Sequence, residues 1–394
     1  MIKNSVFKFI NHASILIEFG KYSLLTDPWY ASNAFGSWYQ KPAPRKDDVL
    51  ELIDSDKQIG VLVSHGHDDH LDEWFISHHL KNSKFFVPTF PTGGLLKRLK
   101  NKVGVDTSSI GDKAEFGPFT LRQFINDGYT SHDAIVTIEF DSKLIIHAND
   151  NWHKWPEIMI QRLAHLKSGY AQKDVFYLTQ FGIADCFPMN YPQIQKDEAH
   201  EIVFNRFVTY KNAIGENLRR LGLDNCYVYA NQSNFDYENL KTFSNYEEAQ
   251  KFFLPDERFM QLIPGDLVNH DQSITRAGKS DPDFFDFRLK ALEDFINSRY
   301  QIKESSEYIP LVLRTTSIKK PVNKNVITYE ASVATWNLIL TGELTLESII
   351  IGGSGLVYKP QKNIREHFIF ISKLSYEIHN RIKNDGINFF RTKS

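Results

Sequence analysis

The segment 65–70 reads His-Gly-His-Asp-Asp-His and directly follows a short apolar run, residues 59–64. Three imidazoles and two carboxylates packed this closely at the end of a buried strand would repel one another or lack partners unless they bound a cation. Neutral imidazole and carboxylate suit zinc, iron, manganese or nickel. A polar cluster that caps a helix is the other interpretation, and the density of histidines favours a metal site.

The spacing within this segment indicates how the ligands would divide. Side chains alternate along an extended turn, so His65 and His67 point to the same side and can share one metal. Asp69 and His70, at the predicted start of a helix, would face a second position about 3.5–4 Å away. The pattern is therefore compatible with two metal ions, and Asp69 is the candidate to orient an attacking water or accept its proton.

The elements around this segment predict an α/β fold with sheets covered by helices. Apolar runs of strand length alternate with helical patterns, and Gly20-Lys21 stands at a hairpin position. A long amphipathic helix is predicted over 196–221 with Gly222 as its stop, and another over 282–300 with Asp281 as its N-cap. The predicted strands are residues 14–19, 22–25, 59–64, 84–88, 120–125, 135–140 and 143–147.

The amino-acid composition indicates which classes of binding partner to expect. The 46 Lys and Arg nearly balance the 48 Asp and Glu, giving a net charge of −2, so nothing favours nucleic acid or an anionic membrane, and we expect a small-molecule substrate. Only Cys186 and Cys226 are present, which is typical of a reducing compartment. No apolar run approaches the ~18 residues that span a bilayer. A soluble, cytoplasmic protein is expected, of undetermined oligomeric state.

The motif resembles that of the metallo-β-lactamase superfamily, His-x-His-x-Asp-His, here His65, His67, Asp69 and His70. The resemblance implies an αββα sandwich. We place the catalytic domain at residues 1–268 and a mixed α+β extension at 269–394. It also implies two divalent metal ions, with zinc first and iron or manganese as alternatives.

The same resemblance assigns further residues to the site. Asp27, at a strand end, would support the site through hydrogen bonds, His132 would be the third histidine ligand, with Asp133 as its rival, and Asp150 would bridge the metals. The histidine that usually completes the second metal position has no clear match, and Asp185 is one candidate to replace it.

Four more residues are candidates for supporting the site or binding substrate. His12 resembles the Gly-His-Ala-Ser histidine of related hydrolases, and His147 would orient a ligand; each could equally be an ordinary buried residue. Trp29 and Trp38 could form an aromatic wall for a sugar or base, or simply belong to the core.

Within the superfamily, the sequence is most similar to the CMP-N-acetylneuraminate hydroxylase branch. Residues 26–29 (Thr-Asp-Pro-Trp), 33–38 and 180–191 carry this similarity. The chain departs from the branch in one respect, because neither cysteine belongs to the Cys-x-His and Cys-x-x-His pairs that a Rieske cluster needs. Electrons for an oxygenase reaction would have to come from a separate protein.

Two functions are compatible with these residues. The first is a hydrolase that uses a metal-bound hydroxide on a small polar substrate such as a sugar, nucleotide, ester or lactone. The second is an iron-dependent oxygenase with a separate redox partner.

Overall fold

The computed structural model describes residues 5–125, 133–183, 185, 187–188, 191, 193–235, 245–253, 256–278, 281–303, 310–316, 326–349, 352–358 and 364–391. The chain forms two compact units. The first comprises Met1–Tyr30 and Gln40–Asp281, and the second comprises Ala31–Tyr39 and Pro282–Ser394. From the sequence, we place the boundary between the two domains between residues 268 and 269, and this domain assignment stays a prediction.

Two sheets dominate the first unit. The described strands up to residue 275 are β1 Ser5–Asn11, β2 Ser14–Phe19, β3 Tyr22–Thr26, β4 Trp38–Gln40, β5 Gln58–Leu62, β6 Lys84–Val87, β7 Asp106–Ser109, β8 Ala114–Phe116, β9 Phe119–Ile125, β10 Ala134–Phe140, β11 Lys143–Asn149, β12 Val175–Gln180, β13 Cys226–Tyr229, β14 Ser233–Phe235, β15 Phe259–Gln261, β16 Leu267–Asn269 and β17 Ile274–Thr275, and all of them except most of β4 belong to the first unit. The first sheet has the order β17-β16-β1-β2-β3-β5-β6-β7, and the second has the order β15-β13-β12-β11-β10-β9-β8.

The two sheets share one core. Leu24 and Leu62 of the first sheet lie in the same buried cluster as Ile138, Ile145 and Leu178 of the second. Because side chains alternate along a strand, the neighbouring residues point to the opposite face of each sheet. The central strands β11 and β12 are buried along almost their whole length, so both of their faces are covered, which explains the apolar runs in the sequence.

Helices cover the outer faces. The described α-helices of the first unit are α1 Lys46–Ile53, α2 Glu73–Phe75, α3 Gly94–Lys97, α4 Glu157–Lys167, α5 Lys196–Leu221 and α6 Asn245–Phe253. On the first sheet, Lys8 of β1 points away from the core and binds Asp48 of α1 at 2.9 Å. On the second, Tyr177 of β12 packs its ring 5.6 Å from Trp155, whose backbone N–H donates to Asn217 of α5. The predicted αββα sandwich is confirmed.

The strand directions bring several chain segments to one edge. Strands β3, β5, β6 and β7 are mutually parallel, as are β11, β12, β13 and β15. The carboxyl ends of β3, β5 and β11 are followed by Asp27, segment 65–70 and Asp150. Since β10 is antiparallel to β11, its start lies beside the end of β11, and the β1–β2 turn lies beside the end of β3. Ligand sites in α/β folds form at such carboxyl ends.

The long helix α5 is confirmed with the predicted limits. It ends at Leu221, and Gly222 follows in the left-handed conformation that a C-terminal glycine adopts, with φ of 60°.

The second unit is a smaller α+β structure. Its described elements are the helices α7 Phe284–Lys303, α8 Val333–Leu340, α9 Ile364–Asp385 and α10 Asn388–Arg391, and the sheet of β18 Leu311–Thr315, β19 Ile327–Ala331 and β20 Gly355–Tyr358. The predicted N-cap Asp281 is wrong. The Asp283 carboxylate accepts the N–H of Asp286 at 2.7 Å, as a capping side chain does, whereas Asp281 binds Arg45.

Within the described part of the chain, no helix combines the length and apolar character needed to cross a bilayer.

Candidate metal centre

Segment 65–70 leaves the end of β5 as a turn. The N–H of His70 donates to the carbonyl of His67 at 3.1 Å. The sequence predicts that Asp69 and His70 start a helix, and this prediction is wrong. Helix α2 begins only at Glu73, and its N-cap Asp72 accepts the N–H of Phe75. The turn lets the side chains of the segment converge instead of spreading around a helix.

One set of donor atoms surrounds His65. Its Nε2 lies 2.8 Å from Nδ1 of His67 and 3.4 Å from Oδ2 of Asp150. The third neighbour is Oδ1 of Asp133 at 3.8 Å. Asp133 lies just before β10, so the structure brings to the site the carboxylate that the sequence offered as the rival of His132. His132 itself lies outside the described residues.

A second set surrounds His70. Its Nε2 lies 3.5 Å from Oδ1 of Asp150 and 3.6 Å from Oδ2 of Asp69. The imidazole of His12 approaches the same Asp69 oxygen, with its Nε2 at 3.2 Å. Asp150 therefore presents one carboxylate oxygen to each of the two sets.

These distances suit divalent metal ions. Ligands about 2.1 Å from a tetrahedral metal lie about 3.4 Å from one another, which is close to most of the separations above. Oδ1 of Asp69, Oδ1 of Asp150 and Nε2 of His70 are buried without a hydrogen-bond partner, and such atoms are costly to leave unsatisfied. All donors are nitrogen or oxygen. The residues present therefore fit zinc, manganese or iron.

Burial and mutual charge shift the pKa values within the cluster. Burial disfavours the charged imidazolium of His70, but the carboxylates of Asp69 and Asp150 outweigh it and hold the pKa of His70 well above its usual range. Burial and the neighbouring His70 lower the pKa of His65. Burial opposes ionisation of Asp69, yet His70 and His12 lower its pKa to about 2. The carboxylates are thus held in the charged form that ligates a cation.

Asp27 holds both histidine sets in place. Its carboxylate accepts the backbone N–H of Ser64 at 2.7 Å and the Ser64 hydroxyl at 2.8 Å. The same carboxylate lies 3.3 Å from Nδ1 of His70. Contact through Nδ1 leaves Nε2 directed at the donor set, which is how a carboxylate commonly orients a metal-binding histidine.

Ser64 and Asn149 support His65, and neither was predicted from the sequence. Nδ1 of His65 lies 3.1 Å from the Ser64 hydroxyl and 3.0 Å from the Asn149 amide. Asn149 sits at the end of β11 with a positive φ of 54°, a conformation that asparagine tolerates better than most residues. Its position next to Asp150 was the available signal. The nearby His147 is fully buried, with its Nε2 3.3 Å from the carbonyl of Ala13.

Arg98 is a further supporting residue that was not predicted from the sequence. It follows α3 and donates to the carbonyl of Gly66 at 2.7 Å and to Asp68 at 3.1 Å. Its Nε also donates to Glu73 at 2.5 Å. The guanidinium therefore links the motif turn to the start of α2. Nothing in the sequence around position 98 distinguishes this arginine from a surface residue of an amphipathic helix.

Three other predicted site residues have different environments. Trp29 is fully buried, and its ring meets that of His12 edge-on at 5.0 Å, so it supports His12 instead of forming an open wall. Trp38 is buried in the second unit's segment 31–39, with its ring 4.9 Å from Phe35. Asp185 is exposed and forms two 2.8 Å bonds with Arg206, so the structure does not bring it to the donor sets.

Comparison with known proteins gives short or distant matches. No family model matches the chain. A Mycolicibacterium smegmatis protein named as a Rieske 2Fe-2S iron–sulfur protein is 33% identical over 92 residues, which are 23% of this chain and 17% of that protein. A Caenorhabditis elegans N-acyl-phosphatidylethanolamine-hydrolyzing phospholipase D is 28% identical over 125 residues, 31% of this chain and 33% of that protein. The matches span a third or less of either relative.

Solved structures are similar to the chain only at low sequence identity and low TM-score. A possible metal-dependent hydrolase from Veillonella parvula has a TM-score of 0.45 and 14% identity, over 68% of this chain and 99% of that one. CmlA, a diiron β-hydroxylase from Streptomyces venezuelae, has a TM-score of 0.41 and 14% identity, over 70% and 54%. YhfI, a metallo-β-lactamase fold protein from Bacillus subtilis, has 0.38 and 12%, over 69% and 98%. At such TM-scores the fold class rests on the sheet order and layers described above.

Proposed function

We propose that the chain is a metal-dependent hydrolase that holds two divalent ions and acts on a small polar substrate. The observation that carries this proposal is the position of Asp150, whose two oxygens lie 3.4 and 3.5 Å from Nε2 of His65 and of His70. One carboxylate between two histidine sets is the arrangement expected of a bridging ligand in a two-metal site.

The ligands divide between the two positions. His65, His67 and Asp133 would hold the first ion, and their ligand atoms all lie within 4.8 Å of one another. Asp69 and His70 would hold the second, with Asp150 between the two. The role of His132 as a first-position ligand stays a prediction.

The protein's own groups define what the site does. When bound, two divalent ions supply Lewis acidity and lower the pKa of water toward neutrality. Asp69 would hold the second ion through Oδ2, and its Oδ1, which is buried without a hydrogen-bond partner, would accept the proton of the attacking water. Asp27 fixes the histidines so that the ligands need not reorganise during the reaction.

An iron-dependent oxygenase is the second candidate. Asp69, Asp133 and Asp150 place three carboxylates among the donors, and oxygen-rich sets with histidine also suit iron. The short similarity to a Rieske-named protein points the same way. Since neither cysteine belongs to the Cys-x-His and Cys-x-x-His pairs of a Rieske cluster, the electrons for this function would have to come from an electron donor outside this sequence.

The experiment loads metal-stripped protein separately with zinc, manganese and, under anaerobic conditions, iron. Each form is assayed with bis(p-nitrophenyl) phosphate, an aryl lactone and an aryl amide. We expect metal-dependent hydrolysis of at least one substrate, abolished by a chelator and in His67→Ala. No hydrolysis by any form would overturn the proposal. Consumption of O₂ by the iron form with a chemical reductant would then favour the oxygenase.

A further inference from the structure

We infer that His12 is the missing ligand of the second metal position and binds the ion together with Asp69 and His70. The inference rests on the proposed function, since it needs the ion that Asp69, His70 and Asp150 would hold. The sequence left that position without its last ligand and offered Asp185, which the structure places in an exposed ion pair with Arg206.

Three separations between these donor atoms are close to those of a tetrahedral metal site. Nε2 of His12 lies 3.2 Å from Oδ2 of Asp69, which lies 3.6 Å from Nε2 of His70, which in turn lies 3.5 Å from Oδ1 of Asp150. A tetrahedral zinc with bonds of about 2.1 Å has ligand separations of about 3.4 Å. The ligand atoms of His12, Asp69 and His70 all lie within 4.8 Å of one another.

The backbone at His12 shows that this placement is strongly determined. His12 and Ala13 form the two-residue turn between β1 and β2, and His12 has a positive φ of 49°. This conformation costs an L-residue other than glycine or asparagine roughly 1–2 kcal/mol, and such strain concentrates at functional sites. A hairpin alone would be better served by asparagine or glycine.

The surroundings hold the imidazole in one orientation. His12 is 1% exposed, and the Trp29 ring packs against it in a T-shaped contact with ring centroids 5.0 Å apart. The carbonyl of His12 accepts the N–H of Ala230 at 2.8 Å. The ring contact and the backbone hydrogen bond thus hold His12 with its Nε2 directed at Asp69.

The competing interpretation is that His12 only donates a hydrogen bond to Asp69. The variant His12→Gln separates the two, because a glutamine amide can still donate to Asp69 but is a poor metal ligand. His12→Asn is the second variant, since asparagine suits the positive φ and its side chain is too short to reach the site. His165→Gln is the control, because His165 is an exposed histidine on α4.

The measurement is the zinc content per chain after dialysis, together with the visible spectrum of the cobalt-loaded protein. We expect about two equivalents in the wild type and the control, and about one in both His12 variants, with loss of one cobalt component. Two equivalents with unchanged affinity in either folded His12 variant would overturn the inference. One equivalent or less in the wild type would instead overturn the proposed two-metal function on which it rests. Circular dichroism establishes that each variant is folded.

Discussion

At the scale of single residues, the cluster is organised by charge. The three carboxylates face imidazoles that are buried, and burial alone would favour the neutral forms of both groups. The pKa of Asp150 is nevertheless held well below its usual range by His70 and His65, against the effect of burial. These buried charged groups have lost their contact with water, so they need one another or a cation as partners. The buried atoms of the cluster that lack a hydrogen-bond partner are therefore available to a cation.

The variant His67→Ala tests the first metal position. His67 is exposed and contributes one donor atom, 2.8 Å from Nε2 of His65, so its truncation opens no core cavity. We expect loss of most metal from this position and of all hydrolytic activity, with an unchanged circular dichroism spectrum. Elemental analysis after dialysis is the measurement. Full metal content in the variant would show that His67 is not a ligand.

The variant Asp27→Asn tests whether the carboxylate that contacts His70 is needed to position it. Asparagine keeps the size of the side chain but removes the charge opposite Nδ1 of His70. Substitutions of such outer partners typically weaken metal binding about 10–100-fold. Zinc affinity measured by competition with a chromophoric chelator should fall in that range, while the number of sites stays the same. An unchanged affinity would show that Asp27 does not position the ligand.

At the scale of secondary-structure elements, close packing between the two sheets depends on a glycine. A Cβ on Gly60 of β5 would lie 2.6 Å from Cδ1 of Phe116 in β8 of the other sheet. The Phe116 ring also packs against Tyr22, Phe86 and Phe119, so it has little room to move. Glycine at position 60 therefore allows the second sheet to approach the strand that ends in the metal-binding motif.

We expect Gly60→Ala to lower the free energy of unfolding by about 1–3 kcal/mol through overpacking. Gly215→Ala is the matched control, because Gly215 lies within α5 and an added Cβ there meets nothing within 4 Å. The control should be more stable than the wild type by about 0.5–1 kcal/mol, since alanine is the better helix former. Urea denaturation gives both values. Equal effects of the two substitutions would contradict the proposed close packing.

The start of α7 makes stability depend on pH. Burial raises the pKa of Asp283 to about 6, although the hydrogen bond from the backbone N–H of Asp286 lowers it. The folded chain therefore binds this proton more tightly than the unfolded chain, so stability falls as pH rises from about 4 to 6. Asp283→Asn keeps the capping acceptor but removes the charge.

This variant should be more stable than the wild type by about 2 kcal/mol at pH 7.5 and should match it near pH 4. Asp294→Asn is the control on the same helix, because Asp294 is exposed and pairs with Lys290. Thermal unfolding at the two pH values is the measurement. If the stability of Asp283→Asn relative to the wild type fell between pH 4 and pH 7.5, the prediction would be wrong.

At the scale of the whole molecule, the sequence predicts what depends on local patterns. The apolar runs of β5 and β11, the stop at Gly222 and the motif at 65–70 are all recognisable from neighbouring residues. His12 and Asp133 come close to the motif only because of the way the strands pair. That pairing cannot be predicted from the residues next to them in the sequence. The same holds for Arg98, whose role is visible only once the helix lies beside the turn.

Anomalous diffraction from crystals of the zinc-loaded protein would locate the metal ions themselves. We predict two peaks about 3.5–4 Å apart. One would lie among His65, His67 and Asp133, and the other among Asp69, His70 and His12, with Asp150 between the two. A single peak, or peaks away from these residues, would contradict the two-metal site.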